Sequence, residues 1–195
     1  MNGFQKRTKR KKNTICQTAL ALYKQYGIEK VNVNDIAQKA NVSPVTIYNY
    51  FGSKRQMTIE VMKYFIHTLL DHFQRIMKSD VSFIRRLEKI MFEKNEMVRL
   101  WHVELFQKVL SQEPEMKQFM QETYQKNIST MVNEFLQEGR EQGYINPDLS
   151  QESLMLFLEM FRNLSFNHPE MFETEKKSKI IKDLMHLFQY GIMER

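Results

Sequence analysis

Residues 32–54 read NVNDIAQKANVSPVTIYNYFGSK, two short helices joined by a sharp turn. Asn32 is a capping residue, and Asp35 three positions on can set its carboxylate against the unpaired amides of a first helical turn. Val33, Ile36, Ala37 and Ala40 follow at i, i+3, i+4 and i+7, the spacing of one apolar helical face and not the alternation of a strand. Asn41 ends that helix, since it tolerates the left-handed backbone of a C-terminal cap better than any other non-glycine residue. Ser43 and Pro44 start another at once, the hydroxyl as N-cap and the proline where a missing amide hydrogen costs nothing.

The second helix, Val45 to Phe51, has two sides. Ile47 and Phe51, with Tyr50 beside them, can dock on the first helix, which leaves Val45, Thr46 and Asn49 pointing away. That outward set suits a DNA major groove: small side chains permit close approach, methyl groups meet thymine methyls, and an amide can pair with adenine. Tyr48, Tyr50 and Lys54 stand at the helix edges, placed to hold phosphates, so they position while the other three specify.

Residues 31–57, VNVNDIAQKANVSPVTIYNYFGSKRQM, resemble the N-terminal domain of the TetR family of transcriptional regulators. The markers occur in order: a first helix ending at Gly27, D-I-A in the second helix, V-S at the turn, and I-Y-x-Y-F-x-S-K closing the recognition helix. The resemblance covers about the first quarter of the chain. Asn32 and Asn41 stand where the family usually has Thr and Gly, and both replacements keep the cap and turn chemistry. The resemblance implies a phosphate contact at Asn32, a division into residues 1–54 for DNA and 55–195 for effector binding and dimerisation, and an all-α fold.

Charge distribution agrees. Residues 1–55 hold eleven Lys and Arg against two acids, a balance of +9, which leaves −3 on the remainder. The basic tail, residues 1–12, places Lys9, Arg10, Lys11 and Lys12 ahead of the first apolar residue; such dense like charges are expected to fray in isolation and to be neutralised by a DNA backbone. Ile15, Ala19, Leu22, Tyr23 and Tyr26 then give the first helix its apolar stripe. Ser53 with Gln56 has the form of a capping box and opens a long fourth helix, periodic to about Lys78, which can couple two sites if it is rigid.

Beyond Asp80 the pattern is helical throughout, with helices expected near 81–96, 98–110, 114–141, 148–166 and 172–193. The last two are apolar over more than one stripe. Leu154, Phe157, Leu158 and Phe161 in one, and Ile181, Leu184, Met185 and Phe188 in the next, predict a four-helix interface with a second copy, as in the family. A homodimer would set two recognition helices in successive major grooves of a near-palindrome. The middle helices are rich in Met and aromatic residues, and the resemblance implies an effector pocket there for a small apolar or aromatic ligand, with Phe65, Trp101, His102 and Tyr124 as candidate lining.

Other classes find little support. The five histidines show no metal-ligand spacing, there is no glycine-rich phosphate loop or nucleophile elbow, and no cofactor or enzyme activity is expected. Cys16 stands alone in an apolar stretch and reads as a small buried hydrophobe. With neither a bilayer-length apolar run nor a secretory leader, a cytoplasmic protein with no membrane partner is expected. The reading is a ligand-responsive repressor; the alternative is an architectural or adaptor protein of the same fold whose larger domain recruits a protein.

Overall fold

In a computed structural model of the 195-residue chain, the structure describes residues 3–92, 109, 112–157, 160, 179, 183, 184, 186 and 187. All regular structure among them is helical: α1 (Gly3–Tyr26), α2 (Val33–Lys39), α3 (Pro44–Phe51), α4 (Lys54–Met77), α5 (Phe83–Phe92), α6 (Pro114–Thr123), a π turn (Tyr124–Ile128) and α7 (Ser129–Glu141). All of the expected helix at 98–110 except Val109, and most of that at 172–193, lie outside the described residues. Two compact units are present, one of residues 1–70 and 100–122, the other of 71–99 and 123–195.

The first unit is built on one core. Ile15, Ala19 and Tyr23 of α1, Ile36 and Ala37 of α2, and Ile47 and Phe51 of α3 are buried together with Met57 and Val61 of α4. Burying a side chain such as Ile47 or Phe51 contributes about 1.5–3 kcal/mol, so the three-helix head is held by the apolar stripes that the sequence spaced. Cys16 belongs to this core, and burial pushes its thiol up to about 12, so it stays protonated.

The basic tail departs from expectation, because α1 starts at Gly3 and carries the whole run as helix. Lys and Arg are good helix formers, and the anchored stripe from Ile15 onward supplies the nucleus, so the tail needs only propagation.

In the second unit, Phe83 and Leu87 of α5 pack with Phe135 and Leu136 of α7 and with Ile145 and Leu154. Phe83 stacks on Phe135 at 4.7 Å and on Tyr144 at 5.4 Å. Arg86 runs over the Phe83 and Phe135 rings, donates to the Met77 carbonyl oxygen, and forks onto the Glu138 carboxylate. The helix expected as one piece over 114–141 is interrupted by the π turn, where the turn takes in one extra residue. Helical spacing is preserved on both sides of such a turn, so the apolar pattern does not reveal it.

Candidate nucleic-acid interface

Local chemistry sets the two helices as the sequence predicted. Asn32 accepts from the Asp35 amide through Oδ1 at 2.9 Å, and Asp35 Oδ2 accepts from the Asn32 amide at 2.9 Å, a complete capping box. Asn41 adopts φ +53°, the left-handed turn. Ser43 Oγ accepts from the Thr46 amide at 3.1 Å, with Pro44 following as the first helical residue. Four residues therefore separate α2 from α3, each with a stated role or a short reach to the core.

On α3, Ile47 and Phe51 are buried, while Val45 is 65% exposed, Tyr48 is 49% exposed and Asn49 is open to solvent. Thr46 is half-buried and its hydroxyl lies 2.8 Å from that of Ser43, which leaves its methyl as the group with no local task. Tyr50 is half-buried, edge-on to Phe51 at 6.5 Å. Lys54 opens α4 half-buried, and its carbonyl oxygen accepts from the Thr58 hydroxyl. The Asn32 side-chain oxygen is spent on its cap, so its amide nitrogen is what a phosphate could meet.

The tail divides by helical face. Lys9, Arg10 and Lys11 are exposed, whereas Lys12 is half-buried with its ammonium 5.5 Å from the centre of the Phe51 ring, a cation–π contact. Arg7, Arg10, Lys11 and Thr14 border a hollow of about 270 Å³ with Ala40, Asn41 and Val42 of the turn. None of these three cations forms an ion pair among the described residues. The spacing 7, 10, 11, 14 is one helical stripe, a signal in the sequence that singles out Arg7 and Thr14 once the tail is known to be helical.

A basic helix beside a helix-turn-helix whose second helix turns its small polar face outward is a nucleic-acid reader by construction. Comparison with known proteins agrees: residues 15–61 match the family model of the bacterial regulatory proteins of the TetR family. Residues 15–61 are thus similar to the DNA-binding domain of the TetR family, and the relatives of the whole chain are regulators of that kind. The chain is a DNA-binding transcriptional regulator. Its relatives include the HTH-type transcriptional repressor KstR2 of Mycolicibacterium smegmatis, 26% identical over 151 residues, which cover 76% of this chain and 74% of the relative. Among solved structures, a transcriptional regulator from Saccharomonospora viridis in complex with choline shares the fold with a TM-score of 0.73 and 18% identity, over 94% of this chain and 98% of that one. The fatty acid degradation regulator FadR from Bacillus halodurans does so with a TM-score of 0.64 and 20% identity, over 95% and 97%.

The regulator's other candidate residues are less gathered. Phe65 is buried in α4; Trp101 and His102 lie outside the described residues, as does the side chain of Tyr124, whose backbone opens the π turn. Of the expected dimer face, Leu158, Phe161, Ile181, Met185 and Phe188 also lie outside the described residues, and Leu184 is half-buried. The expectation for Leu154 needs correcting: at 3% exposed it belongs to the core of its own unit, with Phe157 half-buried against it. Among the described residues beyond 148, the exposed large apolar side chains are Leu156 (64%), Met160 (65%) and Leu187 (64%). Two residues along a helix turn the side chain by about 200°, so a buried Leu154 obliges Leu156 to face out. Among the described residues no helix is long and apolar enough to cross a membrane.

Proposed function

We propose that this regulator is a cytoplasmic repressor that binds a pseudo-palindromic operator as a homodimer and is released by a small apolar or aromatic effector. The observation that carries it is the two-sided α3: Ile47 and Phe51 fix the helix, and Val45, Thr46 and Asn49 are left to meet base edges. Tyr48, Tyr50, Lys54, Asn32 and the cations of α1 supply the backbone contacts that set its register. Repression is supported by the Mycolicibacterium relative, which is named a repressor, and response to a small molecule by the choline held in the Saccharomonospora neighbour. Residues 1–54 serve DNA; residues 55–195 serve the effector, through Phe65, Trp101, His102 and Tyr124, and the partner copy. An effector that prefers a form with badly spaced recognition helices lowers operator affinity by its differential binding to that form.

A footprint of the purified protein on the DNA flanking its own gene tests the reading. A protected near-palindrome, lost when Val45, Thr46 and Asn49 are replaced together by Ala, is the expected result. Protection with no defined site, fading steeply with salt, would instead support an architectural protein of the same fold.

A further inference from the structure

The first turns of α4, immediately after the recognition helix, are gripped by two carboxylates from the start of α6. Arg55 donates to Glu113 through Nε at 2.8 Å and Nη2 at 2.7 Å, a two-pronged fork. Glu115 accepts from Gln56 at 3.1 Å and from Lys63 at 2.6 Å, and Phe119 one turn on meets the His67 ring edge-on at 5.3 Å. Gln56 therefore does not return its side chain to complete the capping box with Ser53; it is drawn to Glu115.

The two members of the fork differ in freedom. The Glu113 side chain is 15% exposed, and its carbonyl oxygen accepts from the amides of Met116 and Lys117, so the carboxylate is fixed at the head of α6. The Arg55 side chain is 72% exposed on a long stem. A guanidinium forks onto a carboxylate or onto a phosphate with the same geometry and cannot fork onto both with the same two donors. Arg55 stands next to Lys54, in the first turn of the helix after the base-reading one, where a backbone phosphate would come if α3 enters the groove.

We propose that Glu113 is a brake on DNA binding: it occupies Arg55, a phosphate-contacting residue of the DNA interface, so that the carboxylate and the DNA backbone compete for one guanidinium. Binding DNA then detaches Arg55 from α6, and by reciprocity anything that tightens the Arg55–Glu113 fork lowers DNA affinity by the same factor. This rests on the assignment of α3 as the base-reading helix.

The test uses the full chain and a fluorescent duplex of mixed sequence, with binding followed by anisotropy over a range of salt. Glu113→Gln should tighten binding by about two- to fivefold, the scale of an exposed ion pair, with the salt dependence little changed, because Arg55 reaches its phosphate in both complexes. Arg55→Ala should weaken binding, and Arg55→Ala with Glu113→Gln should match Arg55→Ala alone. Glu122→Gln, which removes the same charge from the far end of α6, is the control. A gain from Glu113→Gln that equals the control, or that persists without Arg55, overturns the brake. Loss of binding in Lys54→Ala alongside either of those results leaves the DNA interface intact and the brake alone refuted; a wild-type chain that binds no duplex refutes both.

Discussion

The Tyr23 hydroxyl lies 3.1 Å from the Thr58 hydroxyl, a buried bond across 35 residues that fastens α1 to the first turns of α4. Thr58 also donates to the Lys54 carbonyl oxygen at 3.0 Å, so in this chain of bonds it is the Tyr23 hydroxyl that donates to Thr58. Burial pushes the Tyr23 phenol above its ordinary pKa, which keeps that donor in place through the neutral range. Tyr23→Phe should therefore destabilise the head by about 0.5–1.5 kcal/mol with no change in secondary structure. Urea unfolding followed by circular dichroism reads this, and an unchanged midpoint would show that the bond contributes nothing.

Asn49 and Lys54 should fail in different ways. Asn49→Ala is expected to cut the preference for the footprinted site over a scrambled one, by about 1–3 kcal/mol for a paired base contact. Lys54→Ala should weaken both duplexes alike and flatten the salt dependence by about 0.9. Equal losses of specificity in both variants, measured by anisotropy on the two duplexes, would refute the division into reading and positioning residues.

What the sequence made legible is local. The cap at Asn32, the left-handed turn at Asn41 and the restart at Ser43 and Pro44 are each decided within four residues, and all three are found in the structure. The charged ties between elements are not local: Arg55 meets Glu113 across 58 positions and Arg86 meets Glu138 across 52, and no pattern of charge along a helix announces them. The last helices show a different limit. When several stripes are apolar, periodicity says which residues share a face but not whether that face meets its own core or a partner, and Leu154 is buried in the core of its own unit. The tail shows a third: repulsion among its cations favours fraying, and the helix that continues into it from Ile15 onward outweighs that repulsion.

Gly139 is required by a close approach. A Cβ there would lie 2.5 Å from Cζ of Phe83 and 2.7 Å from Cδ1 of Ile145. Both neighbours are buried, and Phe83 is stacked on two further rings, so neither can yield cheaply. Gly139→Ala should cost about 1–3 kcal/mol as an overpacked core, and Phe83→Leu in the same chain should recover part of it. Thermal midpoints of the single and double variants measure the recovery; strictly additive losses would place the strain elsewhere.

Glu138 links the stability of the second unit to pH. The hydrogen bonds from Arg86 hold its carboxyl below the ordinary carboxylate range, assisted by the Arg86 charge and by Gln142. A folded pKa below the unfolded value means a contribution that is complete above about pH 4.3, the ordinary Glu value, and lost as pH falls through the folded one. The wild-type urea midpoint should fall across that acid window. Glu138→Gln should start lower at neutral pH, because buried Arg86 loses its counter-charge, and should fall less on acidification. Parallel pH profiles for the two proteins would remove Glu138 from the account.

The exposed apolar side chains make the proposed dimer contact separable from the core. Leu156 and Met160, four positions apart in the sequence, are both exposed, as is Leu187. If a second copy covers these side chains, Leu156→Asp with Met160→Asp should yield a folded monomer by sedimentation velocity, because buried carboxylates facing each other across a two-fold axis are costly. Leu154→Ala should act the other way: association is retained while stability drops by about 2–5 kcal/mol, the range for a large-to-small core change. A dimer that survives the paired Asp substitutions would place the partner's contact on another face. A monomer should also lose affinity for a near-palindromic site far more than for one half of it, since only the dimer engages both halves at once.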